Sequence, residues 1–181
     1  MIRKIVTIPN KILRMKSRRI GFVDDSIRKL ANDMIDTSLE WDSKRPSEIT
    51  AALAAVQIGE PLRLTILRED YEGGEDNFLT LINPEVVKKS SETVFDIQGC
   101  LSVPSIYGRV KRHKKIKIKA LDEDGNLVRF SLEGFPARVV QHEIDHMNGI
   151  IFLDHVKHSK DMFKIDSSGH FTALSKAKPK S

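Results

Sequence analysis

The chain has 181 residues, is 40% hydrophobic and 30% charged, and carries a formal net charge of +5. That composition belongs to a soluble globular protein of ordinary domain size, and no run of eighteen apolar residues offers a transmembrane helix. A lone cysteine, Cys100, excludes an intrachain disulfide and fits a reducing compartment. The first residues lack the apolar core of a signal peptide. A cytoplasmic location is therefore expected, with an organelle as the alternative if a transit peptide has been removed.

In chain order, Asp25 to about Trp41 reads as an amphipathic helix. Ile27, Leu30, Met34, Ile35 and Leu39 recur at helical spacing, and Asp25 or Ser26 supplies a cap. Glu40 to Ser47 is a polar loop, followed by the small-residue run Thr50 to Gln57, closed by Gly59 and Pro61. Arg63–Leu67 and Phe78–Ile82 read as short strands. Ile116–Ala120 and Leu127–Leu132 alternate on either side of the turn Asp122–Asn126, the pattern of a hairpin. Phe135-Pro136 opens a second helix through Val140, Ile144 and Met147, which stops at Asn148-Gly149. The order helix, strands, helix predicts an α+β fold with mainly antiparallel sheets. Two basic runs, Lys111 to Lys115 and the tail lysines Lys176, Lys178 and Lys180, predict a solvated strand edge and a frayed end, with a weak ribosome contact as the functional alternative.

The second helix carries His142-Glu143-Ile144-Asp145-His146. Four residues make just over one helical turn, so both imidazoles project from one face and can share a metal ion. The carboxylate of Glu143 can reach a water at an open coordination position. Val140, Ile144 and Met147, on the opposite face, anchor the helix in the core. A catalytic site needs a third protein ligand. The downstream pattern that supplies a third histidine is absent, because Phe152 occupies its place, and His155 and His158 are expected on the surface. Cys100 is the other candidate, since a thiolate is a strong ligand for zinc or ferrous iron.

Three ordered segments resemble the motifs of peptide deformylases. Thr50 to Gln57 resembles a G-x-G-L-A-A-x-Q loop, Gln98 to Ser102 an E-G-C-L-S strand, and Gln141 to His146 a Q-H-E-x-D-H helix. The third is a full match, continued by Asn148-Gly149 and Phe152-Leu153-Asp154; the likeness runs from Ile5 to Asp154. It implies a catalytic domain over residues 1–160, built of antiparallel sheets around the metal-binding helix, and a basic, partly disordered tail over 161–181.

The resemblance also implies the roles. Cys100, His142 and His146 would hold one divalent ion, characteristically ferrous iron, with zinc, nickel or cobalt as replacements. Glu143 would be general base and then general acid. Gln57 and the Leu101 backbone N–H would hold the oxyanion. The substrate would be an N-formylmethionyl nascent peptide, laid along the first motif as an added strand, with Phe135 and Val139 lining the methionine pocket; a monomer is expected. The chain departs from the motifs at Thr50 and Ala52, where glycines are replaced and a Cβ would crowd the cleft or strain a position of positive φ. It departs again at Gln98, which stands for a glutamate expected to pair with Arg112. The rival readings are a zincin-type metallopeptidase with another third ligand, and a non-catalytic deformylase-like binding protein.

Overall fold

A computed structural model gives the fold and describes residues 1–45, 49–71, 76–165 and 170–174. The first helix, α1, spans Asp25–Ser43. Its cap is Asp24, one residue ahead of the expected position, because the Asp24 carboxylate accepts from the Ser26 and Ile27 N–H groups. Leu30 and Met34 on its inner face are buried and join a core with Leu53, Leu64, Ile66 and Ile82. Burying each such side chain stabilises the fold by about 1.5–3 kcal/mol.

A five-stranded sheet receives this helix. Its strands are β1 (Ala52–Ala54), β2 (Leu64–Arg68), β3 (Phe78–Lys89), β6 (Lys115–Leu121) and β7 (Leu127–Glu133), in the order β1-β2-β3-β6-β7, all antiparallel. The expected hairpin is β6–β7, in register from Lys115↔Glu133 to Leu121↔Leu127. Ile116, Ile118 and Ala120 point inward between exposed or half-buried lysines. Strand β3 runs seven residues beyond the expected end at Ile82, bending at register shifts after Ile82 and Val86.

A second sheet lies outside the sequence expectation for its middle part. It is ordered β4-β5-β8-β9, from β4 (Thr93–Cys100), β5 (Val103–His113), β8 (Met162–Ile165) and β9 (Phe171–Ala173). Strand β5 was hidden because Arg112, a charged residue, faces inward and is only 5% exposed. The basic run from Lys111 is accordingly not a uniformly solvated edge. Part of the segment read as a tail from residue 161 belongs to this sheet. Residues 162–165 pair with β5 and 171–173 pair with 162–165, because Phe163 and Phe171 find aromatic partners on the sheet. The tail lysines lie outside the described residues.

The second helix, α2 (Phe135–Met147), packs on strands of both sheets. Pro136 sits in its first turn and Asn148 closes it. Val140 and Met147 are fully buried, while Ile144 is half-buried. Gly149 follows with φ +73, and a Cβ there would lie 2.5 Å from the carbonyl oxygen of Arg14. Only glycine meets both demands, so the helix ends where the sequence marks its end. No helix among the described residues is long and apolar enough to cross a membrane.

Candidate active site

Strand β4 ends at Cys100, and Leu101-Ser102 turn the chain into β5, with Cys100 paired to Val103. Helix α2 brings His142 and His146 to the same place, their ring centroids 4.8 Å apart. One ligand atom from each of Cys100, His142 and His146 lies within 4.8 Å of the others. His146 Nε2 is 3.2 Å from Cys100 Sγ and 3.2 Å from His142 Nε2. Tetrahedral ligands at ordinary metal–nitrogen distances sit about 3.3 Å apart. The three donors are therefore spaced to share one ion.

The electrostatics agree. Burial pushes the Cys100 thiol up to about 12, with the nearby Glu143 carboxylate adding to the rise. Burial raises Glu143 to about 8, against smaller opposing effects of Thr65 and Arg112. Burial lowers His146 to about 4 and holds His142 well below the usual imidazole range, helped by the neighbouring His146. Without a cation these groups are neutral near pH 7, and Glu143 Oε2 is buried with no partner among the described residues. A divalent ion would favour the thiolate and carboxylate forms of these two buried groups, and neutral imidazoles are the form that can ligate it. The residues present fit such an ion.

Gln57 lies in the 3₁₀ turn Ala55–Ile58 directly after β1. Its Oε1 accepts from the Ala54 N–H at 2.9 Å, which turns Nε2 toward Cys100 Sγ (3.5 Å) and Ser102 Oγ (3.2 Å). The amide N–H edge thus faces the Cys–His–His group, and Leu101 lies in the same cavity wall.

The contact expected at Gln98 is present. Arg112 Nη2 donates to Gln98 Oε1 at 3.2 Å, and that oxygen is 3.4 Å from His142 Nδ1. Arg112 Nη1 also pairs with Asp145 at 2.5 Å, and His155 Nε2 reaches the same Asp145 oxygen at 2.7 Å. His155 is exposed, as expected, yet it caps this network.

The expectation for Thr50 and Ala52 is corrected in part. Neither has positive φ; among the described residues other than glycine, Asn83 and Ser105 do. Thr50 is 4% exposed, and its N–H and hydroxyl both donate to Asp42 Oδ1, at 2.8 and 2.6 Å. Arg68 completes the anchor by donating to the Thr50 carbonyl at 3.1 Å and pairing with Asp42 at 2.5 Å. The hydroxyl ties the motif to the end of α1, while Thr50 and Ala52 both stand in the wall of the cleft. Thr50→Gly should remove about 1.5–3 kcal/mol of charge-assisted bonding. The expected melting temperature is then lower by on the order of 5 °C, with no fall in KM. A lower KM at unchanged melting temperature would show crowding instead.

A cavity of about 420 Å³ opens beside these groups, lined by Gln57, Cys100, Leu101, Phe135, Val139 and His142, among others. Its wall also includes Ile97, Tyr107, Arg138 and Ile165, which sequence reasoning did not single out. Nothing local marked them: each reaches the cleft through strand pairing or helix phase.

The family model described as polypeptide deformylase matches residues 2–162. Peptide deformylase 2 of Clostridium acetobutylicum is 41% identical over 153 residues, covering 84% of this chain and 94% of that one. The Thermomicrobium roseum peptide deformylase is 43% identical over 160 residues, 86% of each. A crystal structure of a peptide deformylase from Legionella pneumophila superposes with a TM-score of 0.77 at 38% identity, covering 87% of both chains. The chain belongs to the peptide deformylase family, whose members remove the N-formyl group from nascent peptides.

Proposed function

We propose that residues 1–160 act as one catalytic domain that hydrolyses the formamide of N-formylmethionyl peptides, with Cys100, His142 and His146 holding one divalent ion. The convergence of the only thiol with two imidazoles beside a buried carboxyl carries this reading. When bound, the ion supplies Lewis acidity, polarising the formyl oxygen and acidifying a water in the cleft. One thiolate with two imidazoles suits ferrous iron, our assignment for the native ion, with zinc, nickel or cobalt as replacements.

The protein's own groups do the rest. Glu143 takes a proton from the attacking water and hands it to the departing amine. A carbon–oxygen bond forms at the formyl carbon, the carbon–nitrogen bond breaks, and formate leaves. The Gln57 amide, oriented through Ala54, and the Leu101 backbone N–H stabilise the oxyanion, each donor contributing about 3 kcal/mol. The peptide lies along β1 by main-chain pairing, which accepts many sequences, and its methionine side chain enters between Phe135 and Val139. The working form is a cytoplasmic monomer. Protein purified without oxygen and loaded with iron should release stoichiometric formate from a formylmethionyl peptide. Tight peptide binding with no formate would leave a binding protein instead.

A further inference from the structure

The family match ends at residue 162, and the chain then adds two strands to the second sheet. The register puts the side chains of one face in order. Phe95 lies opposite Lys111 and Ile97 opposite Arg109; Tyr107 lies opposite Phe163, and Ile165 opposite Phe171. Ring contacts confirm the grouping: Tyr107 and Phe163 both meet Phe171 edge-to-face, at 5.2 and 6.2 Å. Arg109 lies 5.9 Å from the centre of the Phe163 ring, and Lys111 5.8 Å from that of Phe95.

Much of this apolar surface is open to water. Phe95 is 66% exposed, Phe171 48% and Ile97 37%. Aromatic side chains grouped with cations on an open sheet face mark an interaction surface. Its position limits the occupant. Ile97, Tyr107 and Ile165 belong both to this face and to the wall of the active-site cavity. A chain leaving the cleft on that side passes directly onto the sheet.

We propose that this face is an extended subsite for the downstream part of the formyl peptide, accepting aromatic and acidic side chains beyond the first three residues. The proposal rests on the deformylase reading. Four strands at ordinary spacing are about 14 Å across, which four or five extended residues cover. Aromatic residues of the peptide would meet Phe163 and Phe171, and acidic ones Arg109 and Lys111. A subsite that holds the downstream residues alike in ground and transition states should appear in KM and leave kcat alone.

The test compares formyl-Met-Ala-Ser with two heptapeptides that extend it by Asp-Phe-Asp-Phe or by four glycines. The aromatic, acidic heptapeptide should show a KM about 5–10-fold below the other two. Phe171→Ser should erase that advantage, Phe171→Trp should keep it, and neither should alter turnover of the tripeptide. Fluorescence anisotropy of the labelled heptapeptides reads the same preference as binding, so it holds even if no peptide yields formate and the deformylase reading fails. Equal KM and equal binding for the two heptapeptides would overturn the subsite. So would an advantage that survives Phe171→Ser. If polyuridylate binds the protein and Phe171→Ser abolishes that binding while peptide preference is unchanged, the face belongs to single-stranded RNA instead.

Discussion

Replacing Glu143 with glutamine is expected to leave metal content unchanged and to lower kcat by about 10²–10⁴-fold, the range for loss of a general acid–base group. Glutamine keeps the shape and the acceptor oxygen but cannot carry the proton. The metal-free form offers a second reading of the same residue. Burial raises the Glu143 carboxyl from its ordinary value to about 8. A group whose pKa is raised on folding contributes stability that is complete below its unfolded value and is lost as pH rises through the folded one. Metal-free protein should therefore lose stability between about pH 4.5 and 8 through this group, and metal-free Glu143→Gln should lose less. Loss of the ion from the variant would make Glu143 a ligand, and full activity would remove it from the mechanism.

Alanine at His146 should abolish both tight metal binding and formate release. His146 is 1% exposed and its Nε2 faces both other donors at 3.2 Å. Its removal leaves two ligands, too few for a closed set. His142→Ala should behave alike, and Cys100→Ser should weaken binding strongly, since a hydroxyl is a far poorer soft-metal ligand than a thiolate. The measurement is metal per chain after dialysis against a chelator, alongside activity. Full metal content in Cys100→Ser would favour a zincin-type site with another third ligand. Because the vacated volume at His146 is buried, the thermal midpoint of each metal-free variant should be compared with that of the metal-free parent, which separates ligand loss from misfolding.

The site was more legible than the frame around it, for a physical reason. His142, Glu143 and His146 sit on one helix, where four residues fix the shared face. Asn148-Gly149 marks the end of that helix, and the left-handed backbone at Gly149 explains why. The β6–β7 hairpin was legible through its alternating lysines and aliphatics. Strand β5 was not, because Arg112 turns inward to Gln98 and Asp145, and only tertiary partners make a buried charge acceptable there. The anchor of Thr50 on Asp42 and Arg68 joins residues 8 and 18 positions away, so the sequence showed Thr50 at the cleft but not its tether. Strands β8 and β9 are short and pair through each other's rings, Phe163 and Phe171, and through the distant Tyr107.

Among the described residues strand β1 has a neighbour on one side only, β2, and it is three residues long. Ala51 and Ala52, at its start, lie in the cavity wall, and α2 packs against it. An open strand edge normally invites pairing with any other sheet. Recessed and this short, β1 can be reached by a loose chain end but not by a strand already held in another sheet. On the proposed docking along β1, deformylation competes with the folding of the substrate: once a terminus is tucked into its native sheet, the edge can no longer reach it. The working interval for each new protein is then bounded by how long its first residues stay free.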